Sequence, residues 1–339
     1  MSRPMSLACL LLASACVAGI LAPDAARAEA CAATAATPAA KVHCGYTPEQ
    51  LVEVKLADLR PTQPSLGFDE LYYRLGRFEF GKDKINKRFD DWCESSGYVA
   101  AVSAKPDAKL GDPSSFRCEL GKGSETKASI EPMKTAVVGP AGQLYLTDGH
   151  HTFTSFMETP DGGPDLVVRV RITHNFGSLD ETAFWTEMRR NALTWLRDAN
   201  GKEVAPETLP RSLGMKNFGN DQYRSVLYFG RDVGYRQVPS NVAFQEFYIG
   251  AWLRDHPTIK AANYDLKDVS GYLAFLKDAT HGFSALPDDA IVAEGRTAKS
   301  LGRLSPWDAG EFAKVSRPYS DAKPGKVAYA FKYKAAHGY

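Results

Sequence analysis

The segment Asp148-Gly149-His150-His151-Thr152 holds, within five positions, the side chains best suited to handle protons and phosphate. Imidazole gains and loses a proton near neutral pH, so His151 is a candidate general base or acid, with His150 as the second candidate. A carboxylate beside it, Asp148, can orient the ring or bind a divalent cation. Gly149 permits a tight turn, and the first turn of a helix points its backbone N–H groups outward with the positive end of the dipole behind them. Such a corner holds an anion, most often a phosphate. Neighbouring residues diverge at a helix start, so at most one imidazole is expected on the wall that carries Asp148. Structural readings stand beside these: Asp148 also suits a helix N-cap, and either ring could be a buried imidazole satisfied by backbone.

The flanking elements must aim that segment. Leu144-Tyr145-Leu146 reads as a short strand ending at Thr147, and a helix is expected from about His150 to Met157 with Phe153 and Phe156 on one face. Thr135 to Val138 forms a strand before the turn Gly139-Pro140-Ala141-Gly142, and Leu166 to Ile172 forms another after Thr159 to Pro164. Upstream, Leu51 to Leu56 alternates as a strand, stopped by Arg60-Pro61-Thr62-Gln63-Pro64. Phe68 to Arg77 and Lys82 to Ser95 have helical spacing, and 103–125 is a polar loop or hairpin. Downstream, Thr182 to Arg197 and Ser240 to Asp255 read as helices, with Glu246 beside Phe247 either a pocket carboxylate or, the favoured reading, a helix-surface residue. The expected architecture is α/β (α+β): a small mixed sheet with packed helices over 46–180, then a mainly helical extension over 181–339 packed on that core. Ser225 has no Gly-x-Ser-x-Gly context, and the chain has neither a His-Glu-x-x-His motif nor a Walker loop.

The N-terminus reads as an export signal. Arg3 precedes an apolar stretch from Leu7 to Leu21, and Ala26-Arg27-Ala28 supplies a processing site, which defines 1–28 as a signal peptide and 29–45 as a flexible leader. The mature protein is expected in the periplasm or secreted, with no stable membrane insertion. Removing 1–28 takes away Arg3, Arg27 and Asp24, so 41 basic and 40 acidic side chains become 39 and 39. A neutral chain has no overall field for a phosphate polymer, so net charge does not support nucleic-acid binding, which would need a local basic patch. Four cysteines survive processing: Cys31, Cys44, Cys93 and Cys118. In an oxidising compartment they imply disulfides; three pairings exist, and Cys31–Cys44 with Cys93–Cys118 is favoured because each pair closes a short local loop.

Val137-Val138, the Gly-Pro turn and Leu144 through His151 together resemble the box of the ParB/sulfiredoxin-like superfamily, in which a strand enters a phosphate-gripping corner. The doubled His after Asp and one intervening residue is most similar to the subgroup of ParB-like nucleases. Asp221-Gln222-Tyr223-Arg224-Ser225, Phe244-Gln245-Glu246-Phe247 and Trp252-Leu253-Arg254 extend the likeness, which spans about Tyr46 to Asp255. The resemblance implies a nuclease or phosphate-ester hydrolase. His150 stands where sulfiredoxins carry their reactive Cys, so sulfinic-acid reduction is not supported. Thr152 stands where nucleotide-using relatives carry an Arg; Arg224, Arg169 and Arg171 are the candidate substitute cations.

The sequence therefore leads to an exported phosphodiester or phosphate-ester hydrolase. His151, His150 and Asp148 would carry the chemistry, while Gly149, Thr152 and Arg224 bind a small anionic or phosphate-containing ligand, with a divalent metal as the candidate cofactor. The alternative is a non-catalytic periplasmic module that binds a small anion. Intact-mass measurement on protein recovered after export is expected to give a chain beginning at Glu29 with both disulfides formed; four free thiols would refute the pairing.

Overall fold

The computed structural model describes residues 24–238 and 242–339. Most of the expected signal peptide, residues 1–23, and the start of the helix expected from Ser240 lie outside the described residues. Residues 29–45, read from composition as a flexible leader, are instead mostly helical, in α1 (Asp24–Thr34) and α2 (Pro38–Cys44). The reason is covalent and polar: Cys31 is bonded to Cys44, Thr37 caps α2, and His43 Nδ1 lies 3.0 Å from the Gly142 carbonyl.

Then follow β1 (Leu51–Lys55), β2 (Leu59–Pro61), β3 (Ser65–Leu66), α3 (Phe68–Phe80) and α4 (Lys87–Ser95). Asp69 and Glu70 in the first turn of α3 and Arg77 in its last turn match the helix dipole. The helix expected from Lys82 starts only at Lys87, because Asn86 caps it, accepting from the Arg88 amide while its own amide donates to the Phe78 carbonyl. The polar stretch after it is a hairpin of β4 (Ala101–Ala104) and β5 (Phe116–Cys118), tied to α4 by the Cys93–Cys118 disulfide.

The central elements are α5 (Lys127–Ile130), β6 (Thr135–Val138), β7 (Leu144–Leu146), α6 (His150–Glu158) and β8 (Val167–Asn175). Five strands form one mixed sheet in the order β1-β8-β6-β7-β2. The outer pairings β1–β8 and the central β6–β7 are antiparallel, whereas β6–β8 and β2–β7 are parallel. Strand alternation sorts the side chains: Ala136, Val138, Leu144, Leu146, Val168, Val170 and Ile172 face a core shared with α3, α4 and α6, while Val137 and Tyr145 face the opposite side. That second side is covered by Phe184, Trp185 and Met188 of α7 (Glu181–Arg190). This helix ends seven residues before the expected Arg197, where Asn191 closes it and Ala192 turns to φ 52°.

The rest is mainly helical: β9 (Gly219–Asn220), which pairs with β3, then α8 (Gln222–Gly230), α9 (Gln245–Asp255) and α10 (Val269–Ser284). After them come β10 (Ile291–Ala293), β11 (Arg296–Thr297), α11 (Ala309–Val315) and α12 (Lys326–His337). These helices share a second core with Tyr72 and Tyr73 of α3, so α3 carries residues of both cores. The fold is mixed α+β, as the sequence pattern implied. No helix among the described residues is long and apolar enough to cross a membrane.

Gly149 sits between β7 and α6 at φ 104°, and a Cβ there would lie 2.6 Å from Lys134 Cγ. Gly149→Ala is therefore expected to cost about 1–3 kcal/mol in urea unfolding, and an unchanged midpoint would show that the corner relaxes without strain.

Candidate functional site

The chain between β2 and α3 runs in front of the β7–α6 corner and supplies an amide to each imidazole. Thr62 N–H donates to His150 Nε2 at 3.1 Å, and Gly67 N–H donates to His151 Nε2 at 3.0 Å. Both rings are thereby held neutral, with the hydrogen on Nδ1. Gly67 is needed for a second reason: a Cβ there would meet Ser225 Cα at 2.8 Å, so its absence lets α8 pack against the start of α3. Ser225 has a structural task at this contact, its Oγ accepting from the Asp69 amide at 3.2 Å.

His150 and His151 are only 3% and 8% exposed, yet both line a cavity of about 720 Å³. The expectation that at most one ring would share a wall with Asp148 is therefore corrected: the loop amides turn both toward one space, and Asp148 also borders it. Asp148 does not cap α6, because Gly149 occupies the N-cap position and no side chain caps the helix. Its carboxylate is exposed and lies 3.6 Å from Lys134 Nζ. Thr152 is buried on the cavity wall.

The carboxylate that faces His151 is Glu70, with Oε2 3.7 Å from Nε2. Glu70 also pairs with Arg224 at 2.9 Å and with Arg74 at 3.0 Å, and Arg74 continues to Asp91 at 3.1 Å. Burial alone would raise the Glu70 carboxyl, but with the Arg224 and Arg74 charges against it the carboxyl is held well below the usual range. Burial and the Arg224 charge push His151 well below 6.5 against the pull of Glu70. Burial lowers His150 to about 4, opposed only by Asp148.

Arg224 lies where the sequence placed it. Its Nη2 is 3.5 Å from His151 Nδ1, and the side chain is buried beside Phe247. It does not pair with Asp221, which caps α8 and binds Arg254 at 2.8 Å. Arg224 spends only Nη2 on Glu70; its Nε and Nη1 are buried without a hydrogen-bond partner. The two other candidate cations are committed elsewhere, Arg169 to Glu125 and Arg171 to Glu49, although Arg171 reaches the cavity edge. Glu246 is buried, bound to Arg231 and accepting from Tyr235 Oη; burial raises its carboxyl, but the Arg231 and Arg224 charges outweigh this and lower it to about 2. No group of three or more His, Cys, Asp or Glu side chains among the described residues is placed to hold a metal ion, so the divalent-cation expectation rests on Asp148 alone.

A family model described as "Putative ParB-like nuclease" matches residues 52–255, more than half of the 339 residues. The chain belongs to this family. Among solved structures it is similar to the crystal structure of protein Atu1540 from Agrobacterium tumefaciens, with 20% identity over 70% of this chain and 93% of that chain, at a TM-score of 0.45. No curated protein matches.

Within the ParB-like range lie the corner, Glu70, Arg74, Arg224, Arg231 and Glu246; α12 lies beyond it. Sequence reasoning passed over Glu70 and Arg74 because Glu-x-x-x-Arg is an ordinary helix-surface pair. The available signal was that both fall on the turn of α3 bearing Leu71 and Leu75, which leaves them close to the core.

The histidine shifts make stability depend on pH. A buried ring that stays neutral folded, but takes a proton near 6.5 when unfolded, contributes fully above 6.5 and loses its contribution as pH falls toward about 4. For His150 the span corresponds to roughly 3 kcal/mol. Urea unfolding at pH 7 and pH 4.5 is expected to show this loss, and His150→Gln should flatten it; equal pH slopes in both proteins would contradict the assignment.

Proposed function

We propose that this ParB-like protein is an exported hydrolase of phosphodiesters or phosphate esters, with the phosphoryl group bound in the cavity beside the Asp148–Thr152 corner. The observation that carries this reading is Arg224: a buried guanidinium on the cavity wall with Nε and Nη1 unpartnered. Leaving such donors unsatisfied is costly, and a phosphate oxygen is the acceptor that fits a guanidinium edge best. The Nδ1–H group of His150 adds a neutral donor. The processing motif and the two disulfides favour an oxidising compartment. Family membership supports a nucleic-acid or other phosphodiester substrate.

In this reading water adds to phosphorus and the bond to the leaving oxygen breaks; His151 gives that oxygen a proton, and the proton lost by the attacking water returns to the ring. A bound phosphate raises the affinity of the ring for a proton. A proton arriving at Nε2 displaces the Gly67 amide contact and comes to face Glu70, which compensates the imidazolium. The second reading, a binder without turnover, is favoured by the same contacts, since both Nε2 atoms are occupied and both rings resist protonation.

Calorimetric titration with phosphate and a chromogenic phosphodiester assay separate the two. Arg224→Ala is expected to weaken phosphate binding by roughly 10- to 100-fold, matching about 1.5–3 kcal/mol for a charge-assisted contact. His151→Ala is expected to abolish turnover while keeping affinity within a few-fold. Unchanged affinity in Arg224→Ala overturns the site, whereas a wild-type protein that binds phosphate but never turns over establishes the binder.

A further inference from the structure

A second cavity, of about 250 Å³, adjoins the first, and Arg74, Lys134, Thr152, Tyr228 and Arg231 border both. At their junction three cations surround one ring. Arg74 Cζ lies 6.0 Å, Arg231 Cζ 5.7 Å and Lys326 Nζ 5.1 Å from the centre of Tyr228. Two of the three have carboxylates: Arg74 has Glu70 and Asp91, and Arg231 has Glu246. Lys326 has no ion pair or hydrogen bond among the described residues, and its only contact of this kind is with the Tyr228 face. Burial and the neighbouring Arg231 charge lower its amine from the usual range, against the pull of Asp232 and Glu70. The Tyr228 hydroxyl, which borders the same space, has no hydrogen-bond partner among the described residues and is free to donate. Lys326 opens α12, outside the range matched by the family model, so this wall is added by the C-terminal part of this chain.

We propose that Lys326, Arg231 and the Tyr228 hydroxyl form a second anion subsite, so that the ligand of this protein carries two neighbouring phosphoryl groups, one beside Arg224 and one beside Lys326. The inference rests on the phosphate site of the proposed function and extends it to a class of ligand, a diphosphate or an oligonucleotide segment with adjacent phosphates. Asp91 and Glu94 also line the smaller cavity, but Asp91 is paired with Arg74 and Lys87, so a negative group entering there would supply the carboxylate-like partner that Lys326 lacks, and the shared walls let one ligand reach both spaces.

Titration of inorganic phosphate and of pyrophosphate into wild type, Lys326→Gln and Arg224→Gln tests this. Lys326→Gln keeps length and a polar end, and a thermal melt of each variant confirms folding. Pyrophosphate is expected to bind wild type at least 10-fold more tightly than phosphate. Lys326→Gln is expected to lose about 10-fold for pyrophosphate while phosphate affinity stays within 2-fold; Arg224→Gln is expected to weaken both. Should Lys326→Gln leave pyrophosphate affinity unchanged while Arg224→Gln still weakens phosphate, the second subsite is overturned and the first stands. Should neither anion bind wild type, both fall together. Equal losses for both anions in folded Lys326→Gln would mean a single site, also overturning the proposal.

Discussion

The Glu70 carboxylate is the interaction on which the site depends. It lies in α3, pairs with Arg74 one turn later and with Arg224 of α8, and faces His151 of α6. Three elements distant in sequence are thus fixed by one buried charge. A buried pair contributes little net stability compared with an apolar replacement, but removing one partner strands the other at a cost of about 3–5 kcal/mol. The arrangement is therefore best understood as a positioning device. It sets the angle of α8 against α6, and so the direction in which Arg224 presents its remaining donors.

The backbone cooperates with that charge. Because Gly67 has no side chain, α8 approaches the β2–α3 connection closely, and the Gly67 amide reaches His151. Thr62 treats His150 in the same way while its hydroxyl holds the Leu146 carbonyl at the end of β7. The loop that the sequence marked only as a strand stop, with its two prolines, is what clamps both imidazoles. Its polar atoms point at the corner since that is where unsatisfied acceptors remain inside the fold.

Local patterns in the sequence carried four of the five sheet strands and the corner, whereas β2 (Leu59–Pro61) falls partly in the segment read as a strand stop. The short strands Thr135–Val138 and Leu144–Leu146, the helix from His150 and the two local disulfides all follow from alternation, turn residues and loop closure, which depend on neighbours in the chain. The Arg224 placement came instead from family likeness, because nothing in Asp221-Gln222-Tyr223-Arg224 signals which of its charges turns inward. Asp221 does not pair with Arg224, because it caps the α8 N-terminus and binds Arg254. Glu70, Arg74, Arg231 and Glu246 stayed hidden for a related reason: charges on amphipathic helices read as solvated until tertiary packing buries them in pairs. The helix limits at Lys87 and Arg190 were misjudged because apolar spacing continues past residues whose side chains or φ angles end the helix.

A chain with almost balanced charge can still bind a polyanion if its cations converge where their carboxylate partners lie behind them. Around Arg74, Arg224 and Arg231 the cations do converge, each paired with Glu70, Asp91 or Glu246, but these carboxylates border the same two cavities as the cations. The pairing fixes the guanidinium groups in place, so the ordering cost of gathering them is met during folding. Long-range attraction is absent from such a site, which makes recognition short-ranged and selective for a ligand small or extended enough to enter. Thr152, on the cavity wall, brings no charge to the corner; the buried cation beside His151 comes from α8, so its position is tied to the packing of α8 against the start of α3.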